Sequence, residues 1–137
     1  MELSHVRLLV QDVQRSYQFY QQALGLESVQ TPENGIARLQ CANTTLTLME
    51  QPIFLEAMGL DERQCGTGCV TLQFNTRDVQ AAMAQALAAG AQLVKSARRT
   101  RWDTLSAFLR DPDGVLIEIF RDITGETSEL KLPPAEA

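Results

Sequence analysis

The stretch HVRLLVQDVQRSYQFYQQALG, residues 5–25, decides the fold of the first half of the chain. Its opening, HVRLLV, favours a β-strand because β-branched and leucine residues alternate with other types. Apolar residues then recur at three- and four-residue steps from Val13 to Leu24, which is the spacing of one helix face. Asp12 can accept hydrogen bonds from the free amides at the helix start, and Gly25 can end the helix in the left-handed conformation. The stretch therefore predicts a strand followed by a helix.

Three short strands are predicted after this helix. Their segments are rich in residues that favour strands, and turn-forming residues separate them. Pro32 and Gly35 lie in the first gap, and Ala42 and Asn43 lie in the second. The predicted strands are LESVQT, GIARLQ and TTLTLME. The first part of the chain is therefore a βαβββ module.

The same order returns in the second half as CVTLQFN, a helix DVQAAMAQALAAG, AQLVKS, RWDTLSAFLR and VLIEIF. His5 aligns with Cys69 and Gly25 aligns with Gly90 at a nearly constant offset, which indicates duplication of one supersecondary unit. The predicted division is a first module at residues 1–50, a connector at 51–67, a second module at 68–121 and a polar tail at 122–137.

Strand alternation predicts two different sheet faces. The face packed under the helices should be uniformly apolar, and the other face should mix polar and aromatic residues, as the lining of a small-molecule site does. The helix-facing set is Val6, Leu8, Val10, Val70, Leu72, Phe74, Leu105, Ala107, Leu109, Ile117 and Ile119. The opposite set includes His5, Arg7, Thr47, Met49, Cys69, Gln73, Trp102, Ser106, Phe108, Glu118 and Phe120.

Composition narrows the class of protein. The chain has 137 residues, 12 Lys+Arg, 17 Asp+Glu and a net charge of -5, which suits a globular domain and opposes binding to nucleic acid. No apolar run is long enough to cross a membrane, and the segment MELSHVRLLV lacks the features of a secretory leader. The three cysteines form no CxxC pair, so we expect reduced thiols. Because the sequence shows neither a membrane-spanning run nor leader features, we also expect a cytoplasmic protein with no membrane partner.

The opening stretch, the internal βαβββ repeat and the closing FLRDPDGVLIEIF together resemble the vicinal oxygen chelate superfamily, which includes glyoxalase I, extradiol dioxygenases and bleomycin-resistance proteins. The resemblance covers about residues 3–121. It implies an α+β fold in which two βαβββ modules form a U-shaped mixed sheet around a cup, with helices on the outer face. It also implies a homodimer, because paired modules in similar proteins leave apolar edges that a second chain covers.

The resemblance implies metal-ligand positions at His5, Thr47, Cys69 and Glu118. Thr47 is a weak ligand, and Cys69 stands where a second imidazole is usual, so the set is incomplete. One interpretation is a zinc site made by His5, Cys69 and Glu118. The other is a His5 and Glu118 pair that works without metal as a polar anchor or as an acid and base. We expect no tightly held divalent ion, with zinc, nickel, manganese or iron as the alternative.

Two functions follow from this set of residues. The first is a protein that binds or sequesters a small molecule in the cup, as bleomycin-resistance proteins do. The second is a metal-dependent lyase or dioxygenase that uses His5, Cys69 and Glu118, so whether the chain is an enzyme stays open. A third interpretation, a cup that serves only dimer packing, is disfavoured by the mixed inner face. The predicted ligand contacts are Trp102, Phe108, Phe120, Met49 and Arg7, and Arg38 is a further candidate that would favour an anion.

Overall fold

The computed structural model describes residues 1–65 and 70–126, which fall into two compact units. The first unit lies within residues 1–69 and the second within residues 70–137. The elements of the first are β1 (His5–Val10), α1 (Val13–Leu24), β2 (Glu27–Glu33), β3 (Ile36–Cys41), β4 (Thr44–Glu50), α2 (Gln51–Met58) and a short 3₁₀ helix (Glu62–Cys65). Those of the second are β5 (Thr71–Asn75), α3 (Val79–Ala88), β6 (Gln92–Arg99), β7 (Thr104–Arg110) and β8 (Leu116–Asp122).

Each unit contains one four-stranded mixed sheet. The strand order is β1-β4-β3-β2 in the first unit and β5-β8-β7-β6 in the second. In both sheets the first strand pairs in parallel with the last, and the other pairs are antiparallel. The α+β fold with two βαβββ modules is therefore confirmed.

The helix of each module begins and packs as the sequence predicts. Asp12 accepts hydrogen bonds from the amides of Gln14 and Arg15, and Gly25 follows α1 with a φ of 68°. Asp78 caps α3 by accepting from the amide of Ala81. Helix α1 packs against β2, β3 and β4, and α3 packs against β6, β7 and β8.

Alternate strand residues form the cores under these helices. The buried strand residues include Leu8, Val10, Ala37, Leu39, Leu46 and Leu48 in the first unit, and Leu105, Ala107, Leu109, Ile117 and Ile119 in the second. The prediction differs at four positions, of which Leu72 and Phe74 on β5 are half-buried. Val6 is only half-buried, and Val70 precedes β5 and is 58% exposed, because that strand begins at Thr71 rather than at Cys69.

Two further segments differ from the predicted elements. The connector contains α2, which follows β4 without a loop and begins with Pro52 in its first turn, a position that proline favours. The predicted strand RWDTLSAFLR begins at Thr104, so Trp102 lies in the turn after β6 and is 79% exposed. Most of the predicted tail, residues 127–137, lies outside the described residues. None of the described helices has the length and apolar character needed to span a bilayer.

Candidate functional site

One row of side chains crosses all four strands of the first sheet in register. Arg7 on β1 pairs with Thr47 on β4, Thr47 pairs with Arg38 on β3, and Arg38 pairs with Gln30 on β2. Since neighbouring strands lie about 4.8 Å apart, the two arginines start about 10 Å apart on either side of Thr47. We call these four residues the cationic row.

A pocket of about 300 Å³ opens on this row and is lined by His5, Arg7, Arg38 and Thr47. Thr47 is 3% exposed, so its hydroxyl lies at the floor of the pocket. His5 is at the rim, where its Nδ1 atom is 2.8 Å from the Oγ atom of Ser4. On β1 and β3 the lining residues alternate with buried residues, and on β4 Leu46 and Leu48 flank Thr47. Helix α1 packs against β3 and β4, so it covers the face opposite the lining residues.

Neutral groups hold both arginines of the row. The guanidinium carbon of Arg7 lies 5.0 Å from the ring centroid of Phe54 on α2. Arg38 donates a hydrogen bond from Nη1 to the side-chain oxygen of Gln30. Among the described residues, no carboxylate pairs with either arginine. The pocket therefore keeps both positive charges, which favours an anionic ligand.

The equivalent row of the second sheet has a carboxylate at its centre. Gln73 on β5 pairs with Glu118 on β8, Glu118 pairs with Phe108 on β7, and Phe108 pairs with Lys95 on β6. The Oε1 atom of Glu118 accepts from Nε2 of Gln73 at 2.8 Å. We call these four residues the acidic row.

A chain of hydroxyl groups supports Glu118 from its other side. Ser106 donates to the Oε2 atom of Glu118 at 2.8 Å. The Ser106 hydroxyl is 2.9 Å from that of Thr104, which is 2.7 Å from that of Thr100. Both carboxylate oxygens of Glu118 therefore already accept a hydrogen bond within the second unit.

The pairing registers also correct the predicted alignment of the two modules. Thr47 and Glu118 occupy the same place in the LTL and IEI segments, so their parallel partners Arg7 and Gln73 are equivalent. His5 is then equivalent to Thr71, not to Cys69. The predicted alignment of His5 with Cys69 also matches Val6 with Val70, and Val70 precedes β5.

The predicted site residues fall into three groups. The first unit brings together His5, Arg7, Thr47 and Arg38, while Met49 lies one row away and is buried between Leu9 and Ile36. In the second unit Phe108 pairs with Glu118, and Phe120 pairs with Ser106. Trp102 lies in a turn, and Cys69 lies outside the described residues. Because His5 and Glu118 belong to different units, their pairing stays a prediction.

The described donors do not fit a catalytic metal centre. The residues 1–65 and 70–126 hold no group of three or more His, Cys, Asp or Glu side chains suited to a metal ion. His5 is the single histidine of the chain, Thr47 offers a neutral hydroxyl, and the oxygens of Glu118 are engaged by Gln73 and Ser106.

Sequence patterns missed two supporting residues. Gln30 lies between two irregularities in the pairing of β2 with β3, and such bulges break the alternation from which a residue's face is inferred. Phe54 lies on a helix that was not predicted, although Pro52 followed by apolar residues is a signal for a helix start. Gln73 and Ser106 were placed on the correct face without a role.

Comparison with known proteins agrees with this architecture. A family model described as "Glyoxalase/Bleomycin resistance protein/Dioxygenase superfamily" matches residues 2–119. The chain is 29% identical over 126 residues to "Lactoylglutathione lyase" of Haemophilus influenzae, covering 89% of this chain and 93% of that protein. It is 30% identical over 126 residues to "Uncharacterized protein YraH" of Bacillus subtilis, covering 88% of this chain and 98% of that protein.

Solved structures show the same fold. A glyoxalase/bleomycin resistance protein/dioxygenase family enzyme from Burkholderia phytofirmans superposes with a TM-score of 0.79 at 24% identity, covering 88% of this chain and 98% of that chain. A glyoxalase-related enzyme from Fulvimarina pelagi superposes with a TM-score of 0.77 at 24% identity, covering 89% of this chain and 88% of that chain. At this level of identity the likeness supports the fold and not a particular activity.

Proposed function

The chain belongs to the glyoxalase/bleomycin resistance protein/dioxygenase superfamily, and we propose that it binds a small molecule through an oxyanion group, carboxylate or phosphate, in the pocket of the first unit. His5, Arg7, Arg38 and Thr47 line this pocket, which we call the oxyanion pocket. The chain is then a small-molecule-binding protein, and the group bound in the pocket is negatively charged.

One observation carries the proposal: Arg7 and Arg38 lie on the strands on either side of the buried Thr47, and no described carboxylate pairs with either arginine. In a chain with net charge -5, acidic groups are plentiful, so their absence from the described surroundings of Arg7 and Arg38 favours an external anion as their partner. Guanidinium groups present several donors in a plane that matches carboxylate and phosphate oxygens. The hydroxyl of Thr47 adds one more donor at the floor.

The expected contribution of each arginine is large. A hydrogen bond to a charged group contributes about 1.5–3 kcal/mol, which corresponds to roughly 10- to 150-fold in Kd. The predicted aromatic contacts Phe108 and Phe120 flank Glu118 in the second unit, and they would suit an apolar or cationic part of a ligand. Their role stays a prediction.

A titration of the purified chain with inorganic phosphate and with benzoate tests the proposal. We expect amide NMR signals of β1, β3 and β4 to shift on binding, and Arg7→Gln and Arg38→Gln each to weaken binding about 10-fold or more. Arg63→Gln is the matched control, because it removes the same charge from a side chain that is 93% exposed. Absence of any shift at the lining residues of the wild-type protein contradicts the proposal.

A second candidate function is a metal-dependent lyase or dioxygenase. It is favoured by the similarity to proteins named lactoylglutathione lyase, which extends over 89% of this chain. The residues proposed to hold the ion are His5, Cys69 and Glu118. Metal analysis of protein purified without an affinity tag decides between the two candidates. A stoichiometric ion that is lost in His5→Ala favours the metal-dependent function.

We also infer that the chain works as a homodimer in the cytoplasm. The edge strands β2 and β6 support the dimer, because each carries a strongly exposed valine, Val29 at 58% and Val94 at 48%. Exposed apolar side chains on unpaired edges favour association. Sedimentation should give about twice the 15.2 kDa chain mass. Val29→Lys and Val94→Lys should lower the mass, and a monomeric wild-type protein contradicts the inference.

A further inference from the structure

Two arginines of the second unit are held by acidic groups. Arg99 lies 3.1 Å from Asp103, and Arg121 lies 2.5 Å from Glu126. A carboxylate fixes the position of a guanidinium group, and it also cancels its charge. Such an arginine is well positioned but has little attraction left for another anion.

The arginines of the oxyanion pocket are held without such cancellation. The side-chain oxygen of Gln30 accepts from Nη1 of Arg38, and the guanidinium carbon of Arg7 lies over the ring of Phe54. An amide oxygen and an aromatic face attract a cation through partial charges only. Each contact takes one donor or one face of the guanidinium plane and leaves the other N–H groups available.

The backbone places Gln30 for this contact. The pairing of β2 with β3 skips a residue on β2 both before and after the pair formed by Gln30 and Arg38. Bulges of this kind turn a side chain away from the face that regular alternation gives it. Phe54 is placed by α2, which follows β4 without a loop. The neighbouring residue Ile53 packs so closely on Gly35 that a Cβ atom added there would lie 2.9 Å from the Ile53 side chain.

We propose that Gln30 and Phe54 are positioning residues of the oxyanion pocket, which fix the guanidinium groups of Arg38 and Arg7 while leaving their positive charge for the ligand. This inference rests on the proposed function, since it concerns how the same pocket is built. A purely structural role for either residue predicts an effect on stability. A positioning role instead predicts that a change in the charge at Gln30 or in the aromatic ring at Phe54 weakens phosphate binding without lowering the melting temperature.

The first test changes the charge of the support at nearly constant shape. Gln30→Glu supplies a carboxylate to Arg38, so phosphate binding should weaken about 10-fold or more while the melting temperature stays the same or rises. Gln18→Glu is the matched control, because it adds the same charge on an exposed position of α1 and should leave binding unchanged. Gln30→Met removes the acceptor without adding charge and should weaken binding by a smaller factor.

The second test removes the aromatic face. Phe54→Leu keeps an apolar side chain and should weaken phosphate binding about 3-fold or more, whereas Phe54→Tyr should retain wild-type affinity. Met58→Leu is the control on the same helix, where Met58 is 50% exposed. If Gln30→Glu and Phe54→Leu bind phosphate as tightly as the wild-type protein, the positioning role is wrong and the pocket stands. If the wild-type protein binds neither phosphate nor benzoate, the proposed function itself fails.

Discussion

The cationic row of the first unit and the acidic row of the second occupy equivalent positions on equivalent strands, yet they differ in charge: the first carries Arg7 and Arg38, and the second carries Glu118 and Lys95. Arg7 and Thr47 stand in one unit where Gln73 and Glu118 stand in the other. The bulges are repeated as well. The pairing of β6 with β7 is irregular on both sides of Lys95, and the pairing of β2 with β3 is irregular on both sides of Gln30. A duplicated backbone therefore fixes where a site lies, and a few substitutions decide what it can bind.

The two rows also differ in how their charged groups are supported. Glu118 accepts one hydrogen bond on each oxygen, from Gln73 and from Ser106, so its own unit satisfies part of its capacity. Arg7 and Arg38 make contacts to Phe54 and Gln30 that leave their remaining donors available. The second module thus carries a hydrogen-bonded carboxylate in its row, whereas the first carries two arginines whose remaining N–H groups can bind an anion.

The largest effect is expected where the two modules are alike. Leu48 and Ile119 are equivalent core residues, exposed by 0% and 1%. Leu48→Ala and Ile119→Ala should each lower the free energy of unfolding by about 2–5 kcal/mol, because both leave a cavity. Urea denaturation followed by circular dichroism measures the change. Leu93→Ala, at a position that is 47% exposed, is the control. If either core variant lowers the free energy of unfolding as little as Leu93→Ala does, Leu48 and Ile119 are not equivalent core residues.

The next effect comes from exchanging the centre of the rows. Thr47→Glu places a carboxylate between Arg7 and Arg38, as Glu118 stands in the acidic row, so it should weaken phosphate binding about 10-fold or more. Calorimetric titration gives the Kd. Thr47→Val removes only the hydroxyl and should cost less than about 10-fold. Equal affinity in Thr47→Glu and the wild-type protein would show that the charge of the row does not govern binding.

A smaller effect separates the two helix starts. Asp12 accepts from two backbone amides and Asp78 from one, among the described residues. Asp12→Ala should therefore destabilise the protein by about 1–2 kcal/mol, and Asp78→Ala by about 0.5–1 kcal/mol. Thermal unfolding compares them. The variants Asp12→Asn and Asp78→Asn keep an acceptor and should cost less, and a reversed order of the two alanine variants contradicts the cap assignment.

The smallest effect concerns the reactivity of a thiol in the first unit. Burial raises the pKa of Cys41, so less of it is thiolate at neutral pH than in a free thiol. With Cys65 and Cys69 changed to serine, alkylation at pH 7 should be about 2-fold or more slower than that of glutathione and should rise with pH. The same variant in urea should react at the rate of a free thiol. A folded-state rate that matches glutathione argues against this shift.

Sequence alone could predict the eight strands, the helices α1 and α3, and the centres of both rows. Regular alternation places Thr47, Glu118 and Phe108 correctly, because the extra residues of the irregular pairings lie on β2 and β6 and not on β4, β7 or β8. It fails at Gln30, where bulges shift the register, and at Trp102, where a turn replaces the expected strand. Phe54 was missed because α2 follows β4 without a loop, and Pro52, which marks the start of the helix, falls within the predicted connector. The supports of a site depend on such local irregularities, which periodicity does not detect.

The turn that carries Trp102 has a spectroscopic consequence. The chain contains one tryptophan, and it is 79% exposed in a turn closed by a 2.8 Å hydrogen bond from the amide of Thr100 to the carbonyl of Thr104. An indole ring already in water changes its emission little when the protein unfolds, and dissolved iodide reaches it readily. Phe54→Trp in a Trp102→Phe background places the single tryptophan of the chain next to the guanidinium group of Arg7. Its fluorescence quantum yield should then change when a ligand binds in the oxyanion pocket.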